Sequence, residues 1–476
     1  MTGLGAEPTH RSSTMAFIRI APRRAVVIGA ALAFLVAACT LGLLDVRRRA
    51  LNSDFTVFAI AGAAFFDGRD PYAIANPQGW HYAYPPLFAL AVAPLSRLSF
   101  QDQVAVWFAI SVGLGLLCVA ECRWIVRAIR RRDPLTAATP MPWWIAIAAA
   151  LSVLLPALDS LQRGQVALAI TWPLLVGLRL LLAARGWMAA CLAGTVLALP
   201  IAIKLTPLLP VALLVQIGFK ARRAGAATGE RTGHGLAVGS GVVVGLALFL
   251  VVLPAALLGW NRNIGHLETW MRRVEASAQV GVDNNKYTFR NQSFANAVEM
   301  LARWEHPKSP LRWLSPRDPG IRDLRAEPRA PRALLGAVVW ATQFVLSALV
   351  IAAAWRLAGP GRALGAAAAF GLASALSLVI SPISWGHHFV ILLPAVLFVP
   401  WWFWCQGRQA AARWLSAAPA ALAGVHYLFI DTGWIEKPIG LSLVWAVGLL
   451  GVGMAVWCAA AAALMLATPR EQEGKA

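Results

Sequence analysis

The sequence predicts an all-α integral membrane protein, a bundle of about twelve transmembrane helices. Three observations carry that reading. Of the 476 residues, 59% are hydrophobic and only 13% charged, and the mean hydropathy is +0.63. A soluble domain carries about 25% charged residues, so charge has been withdrawn from long segments. Runs of roughly 17 to 24 mostly apolar residues follow one another, each long enough to cross a bilayer. The net charge of +20 is mostly arginine, and its clusters fall between runs, where cytoplasmic loops meet anionic headgroups. No nucleic-acid-binding motif accompanies it, so no nucleic acid is expected as a partner.

Taken in order, residues 1–22 are polar and read as a disordered cytoplasmic N-terminus. Residues 23–466 read as a single polytopic membrane domain and 467–476 as a cytoplasmic tail. The first span, 25–44, has arginines on both flanks and does not orient itself. Arg23-Arg24 and Val36-Ala37-Ala38-Cys39 resemble a secretion signal with a lipoprotein box, yet the apolar run continues to Leu44, so an uncleaved helix is expected. Further spans read as 103–126, 142–158, 165–184, 187–203, 205–219, 235–258, 333–356, 361–380, 386–405, 415–431 and 438–466.

Arg127 to Arg132, Lys220 to Arg223, and Arg408 with Arg413 mark one side as cytoplasmic. Even numbers of crossings separate them, which puts both termini inside. The stretch 84–98 is short and holds Pro85, Pro86 and Pro94. It reads as re-entrant or interfacial, and non-helical backbone at that depth is tolerated where it lines a cavity. The outer face then carries two loops: 45–83, with a surface helix, and the larger 259–332. The six cysteines sit in or beside apolar runs and read as small hydrophobes, with neither disulfides nor a metal site.

This topology collects the polar motifs on the outer face. Asp54 follows the first span; an acid there is costly unless it faces water or a partner, or Ser53 and Asp54 cap the next helix. Lys204, in Ile203-Lys204-Leu205-Thr206-Pro207, is either a snorkelling lysine or a point charge for phosphate at a helix broken by Pro207. Asp159 to Gln165 is a connector or, through Gln162, Arg163 and Gln165, a set of donors for hydroxyls and phosphate. In Ser381-Pro382-Ile383-Ser384-Trp385-Gly386-His387-His388 the histidines point about 100 degrees apart on a helix, so one of the two faces a given site. Arg290, Asn291 and Gln292 offer a guanidinium and amides; Tyr84 and Trp385 belong to an aromatic belt or stack on a sugar.

Five motifs in one order carry a resemblance: Asp54-Phe55, Tyr84-Pro85-Pro86, Gly164-Gln165, Lys204-x-x-Pro207 with Asn291-Gln292-Ser293, and Ser381-Pro382-x-Ser384-Trp385-x-His387-His388. Together they resemble the glycosyltransferase family 87 membrane enzymes, over roughly residues 50 to 400. Val166-Ala167 departs from the pattern, since many members carry an asparagine soon after the glutamine.

The resemblance implies a GT-C-type bundle in a bacterial plasma membrane, with the site on the extracytoplasmic face. The donor would be a polyprenyl-phosphate sugar, usually mannose, the acceptor a lipid-linked or polysaccharide glycan, and no cofactor or metal would be needed. It implies Asp54 as general base, with His387 or His388 in the site. Lys204, Arg290 and Arg163 are then expected to hold the donor phosphate, and Gln165, Asn291, Gln292, Tyr84 and Trp385 the sugar or acceptor. Inverting transfer needs one base and a cationic setting for the leaving phosphate, whereas glycoside hydrolysis needs two facing carboxylates. A lipid-linked sugar transporter without bond-forming chemistry is the alternative reading.

Overall fold

The computed structural model describes residues 22–228, 235–278, 291–302, 332–357, 362–427 and 448–468. The expected N-terminal disorder at 1–22 and the tail at 467–476 lie almost wholly outside these residues. Among the described residues the chain is helical almost throughout, with no strand and only two isolated bridges, Ala75 to His81 and Asn291 to Trp385.

Seven described helices are long and apolar enough to cross a membrane: Phe100–Arg132, Trp143–Arg163, Gly235–Leu258, Ala333–Leu357, Ala363–Ile380, Gly386–Cys405 and Leu449–Ala467. Five shorter apolar helices accompany them, among them Ala167–Ala183, Trp187–Ile203 and Leu208–Gly218. Ala363–Ile380 and Gly386–Cys405 form the centre, with 89% and 83% of their apolar windows buried. Phe100–Arg132, Trp143–Arg163, Gly235–Leu258 and Ala333–Leu357 are only 22% to 33% buried. Their open faces carry Trp143, Phe344 and Trp340, as suits a surface solvated by lipid tails.

Local chemistry sets the helix ends. Ser99 opens Phe100–Arg132 by accepting the Asp102 amide at 3.3 Å while donating to its carboxylate at 2.7 Å, which satisfies a donor with no intrahelical partner. Arg130 to Arg132 close the same helix, where its dipole favours cations. Trp187–Ile203 and Gly235–Leu258 pack backbone to backbone: a Cβ on Gly241 would lie 1.9 Å from the Cys191 carbonyl. Small residues permit such approach between helices in lipid.

Three expectations differ from what is found. Asp159 to Arg163, expected in a connector after a span ending at 158, continue the helix Trp143–Arg163. The span expected at 415–431 begins earlier, as Gln409–His426. The helix expected on the surface of the first outer loop is Phe55–Phe66, with nine of its twelve residues buried. It is apolar all round, and such a helix belongs in an interior rather than at a surface. The proline-bearing stretch forms a seven-residue α-helix, Pro86–Val92, and a 3-10 turn, Ala93–Arg97, packed against Phe55–Phe66.

Phe100–Arg132 is about 50 Å long by its residue count. At its far end Arg132 binds the Leu182 and Ala183 carbonyls, the last turn of Ala167–Ala183. That helix begins two residues after Gln165, so the basic cluster and the Gly164-Gln165 turn lie at opposite ends of the bundle.

Candidate active site

Asp54 enters the site through a turn built by its neighbours. Ser53 does the capping: its hydroxyl accepts the Phe55 amide at 3.3 Å, and its carbonyl accepts the Thr56 hydroxyl at 2.7 Å. The Asp54 side chain makes no cap hydrogen bond. Its carboxylate instead accepts from the Gln165 side-chain amide at 2.6 Å, while its backbone amide donates to the Arg163 carbonyl at 2.9 Å. Both contacts depend on Gly164, which ends Trp143–Arg163 in the left-handed region at φ 70. A Cβ there would lie 2.6 Å from the Ser53 hydroxyl and 2.8 Å from the Phe55 Cβ. Only glycine meets both demands without strain.

Lys204 follows Trp187–Ile203 in extended conformation. Its Nζ lies 2.6 Å from His388 Nε2 and 5.4 Å from the centre of the Tyr84 ring. His388 Nδ1 accepts the Trp385 amide at 3.1 Å, and the direction of the Nε2 to Lys204 hydrogen bond follows the ring's tautomer. Burial pushes the Lys204 ammonium down to about 7. An arriving anion restores the charge. Burial, and then the Asp54 charge, hold the Tyr84 phenol well above its usual range, so it remains a hydrogen-bond donor.

His387 stands with its ring perpendicular to that of His388, centres 4.5 Å apart. Both of its ring nitrogens are buried without a hydrogen-bond partner. Nδ1 lies 3.5 Å from the Asp159 carboxylate, whose other oxygen accepts from Arg163 Nε at 2.5 Å. Gln165 likewise keeps its side-chain oxygen without a partner.

Asp54, Tyr84, Arg163, Gln165, Lys204, Trp385, His387 and His388 line one cavity of about 1420 Å³. One wall is apolar, formed by Leu205, Leu208, Leu209, Ala212, Val274 and Ile380. Trp80 and Trp385 meet edge to face at 6.5 Å and also line it. The volume exceeds the range of about 300–1,000 Å³ typical of single small-molecule sites. Among the described residues, no group of three or more His, Cys, Asp or Glu could hold a metal ion.

Asn291 and Gln292 lie away from this lining, buried in a brace. Asn291 Oδ1 accepts the Ser384 amide at 3.0 Å and the Ser293 amide at 3.1 Å, and its Nδ2 donates to the Pro382 carbonyl at 3.3 Å. The Gln292 amide donates to the Ser384 carbonyl at 2.6 Å, and its side-chain oxygen accepts the Leu450 amide. This pair positions the Ser381 to His388 turn. Arg290 lies outside the described residues.

The sequence reading passed over Asp159 as an individual residue, and also Arg273 on the cavity wall. A carboxylate four residues before an arginine at the end of a span is a signal for the first. The i, i+3, i+4 spacing of Trp270, Arg273 and Val274 is one for the helix face that carries them.

Fold and cavity define a polytopic membrane protein with an acid, cations and apolar side chains around one cavity. The chain belongs to glycosyltransferase family 87, whose model matches residues 82–382, and is therefore a membrane glycosyltransferase. The matched span includes Tyr84, Gln165, Lys204 and Asn291, and stops before His387. Two polyprenol-phosphate-mannose-dependent alpha-(1-2)-phosphatidylinositol mannoside mannosyltransferases are similar to it. The one from Mycolicibacterium smegmatis is 29% identical over 387 residues, 77% of this chain and 73% of the relative. The one from Mycobacterium tuberculosis is 26% identical over 417 residues, 82% of each. No solved structure matches the chain.

Proposed function

We propose that this enzyme moves mannose from a polyprenyl-phosphate donor to a lipid-linked or polysaccharide acceptor on the extracytoplasmic face, with inversion. The observation that carries the reading is the single cavity in which the Gln165-held Asp54 carboxylate meets Lys204, His387 and His388 beside an apolar wall. The donor and substrate class named for both relatives supports it. So does the position of the cavity at the end of the bundle opposite Arg132, since basic clusters mark the cytoplasmic side.

In this mechanism the acceptor hydroxyl oxygen attacks the anomeric carbon, and Asp54 takes the hydroxyl proton. The bond from the anomeric carbon to the phosphate oxygen breaks, and polyprenyl phosphate leaves with the electron pair. Lys204, charged once the anion is present, and His387 stabilise that oxygen; such electrostatic help in a dry site is worth several kcal/mol, about 3–4 for one donor. The apolar wall receives the first part of the lipid tail. Asp159 is held by Arg163, and among the described residues Asp54 is the one carboxylate that lines the cavity, whereas glycoside hydrolysis uses two facing carboxylates.

The test is purified protein in proteoliposomes with radiolabelled polyprenyl-phosphate mannose and a phosphatidylinositol mannoside. Label on the acceptor is the expected result. Label that crosses the bilayer without forming a glycosidic bond would show a transporter instead.

A further inference from the structure

The two adjacent histidines have unequal partners. His388 uses both ring nitrogens, one for the Trp385 amide and one for Lys204. His387 is 3% exposed and uses neither in a hydrogen bond, although its ring lines the cavity. Beside its Nδ1 lies Asp159, 8% exposed, whose other oxygen is fixed by Arg163. Arg163 and Asp159 share one helix at i, i+4, so the carboxylate is anchored before any ligand arrives.

We infer that Asp159 is a positioning residue that acts through His387: it holds the ring's Nδ1 hydrogen and leaves Nε2 as the group that meets the leaving phosphate. This rests on the proposed function and goes beyond it, since it separates the two histidines by role. His388 orients Lys204, and His387 is the direct phosphate partner. In the donor complex the doubly protonated His387 ring lies between two anions, Asp159 behind and phosphate in front. That arrangement compensates a buried imidazolium on both sides. At 3.5 Å the resting Asp159 to His387 contact is longer than a strong charge-assisted hydrogen bond, and it tightens when the ring is charged, as catalytic contacts do on complex formation.

The groups facing this pair come from several elements: Arg163 on the Asp159 helix, Lys204 after Trp187–Ile203, Asp54 before Phe55–Phe66, His388 beside the ring, and His426 from Gln409–His426. None but Asp159 lies within ion-pairing distance of His387. Removing that one charge is therefore the specific perturbation.

The experiment measures kcat and KM across pH for mannose transfer by the wild type, Asp159→Asn and Asp159→Glu. Asp159→Asn is expected to lose about 10- to 100-fold in kcat, the usual cost of losing a partner that orients a functional histidine, with KM nearly unchanged. Its alkaline limb in kcat moves about one pH unit lower, because the imidazolium has lost its counter-charge. Asp159→Glu keeps the charge and restores most of the rate and the limb.

Wild-type kcat in Asp159→Asn, or a loss of rate with an unmoved limb, overturns the inference; the second outcome would mean a structural role only. Should Asp159→Asn fail to fold, His387→Gln decides: the alkaline limb in kcat must disappear, and its persistence overturns the inference equally. Wild-type protein that transfers no mannose contradicts the proposed function, and with it the role of His387. Active wild type with an indifferent Asp159→Asn contradicts only the positioning role.

Discussion

Two polar regions sit side by side in this bundle and are buried for opposite reasons. In the brace, Asn291 and Gln292 spend their side chains on backbone groups of the Ser381 to His388 turn and of Leu450. In the cavity, Gln165 and His387 keep buried polar atoms without partners. An unpaired buried polar atom costs about 1–3 kcal/mol, and a fold retains such a cost where a ligand makes the missing bond. Asn291 and Gln292 hold a wall, and the unsatisfied Gln165 and His387 line the cavity, while other unpaired polar atoms such as Gln103 Oε1 and Asn263 Oδ1 lie elsewhere in the interior. Composition alone does not distinguish the two; pairing does.

The comparison breaks first, and most visibly, at Asp54. Asp54→Asn should leave the protein in the membrane with its melting temperature unchanged and cut transfer by about 10²- to 10⁴-fold, the usual contribution of a general base. Normal transfer by that variant would remove Asp54 from the chemistry.

Asn291→Ala should do the reverse. It strands the Ser384 and Ser293 amides, costing about 2–4 kcal/mol. Detergent melting would fall, while the folded fraction assayed in the cold would retain its rate. Lost rate with normal melting would move Asn291 into the site.

Gly164→Ala joins both regions, because a Cβ strains the φ 70 turn and presses Ser53. A cost of about 1–3 kcal/mol is expected, with lost transfer as Asp54 shifts from Gln165.

The smallest effect is a pH dependence. With Lys204 near 7, the protonated form that attracts phosphate dominates below that pH and declines above it. Affinity for a donor analogue should therefore be flat below about pH 7 and weaken toward tenfold per unit above it. Lys204→Arg should flatten the titration, because arginine stays charged.

How much of this was legible in the chain follows from the same contrast. Asp54 and Lys204 are readable because a charge at the end of an apolar run is costly and needs a reason. Gly164 is readable because its turn requires glycine. The brace was not readable, since Arg290-Asn291-Gln292-Ser293 has the composition of a binding loop and its bonds go to residues some ninety positions away, such as Ser384. Burial of Phe55–Phe66 escaped because a loop between spans is expected at the surface, although its all-round apolarity pointed inward. Helix existence was legible nearly everywhere. Crossing number was less so, because several apolar helices are too short to settle it by length alone.

The most direct test is a structure with a non-transferable polyprenyl phosphonate analogue of the mannose donor. The account predicts the phosphonate oxygens at about 2.7–2.9 Å from Lys204 Nζ and His387 Nε2, the lipid along Leu205, Leu208 and Leu209, and the anomeric carbon open to a hydroxyl held by Asp54. A phosphonate bound at Asn291 and Gln292, or a sugar turned away from Asp54, would contradict it.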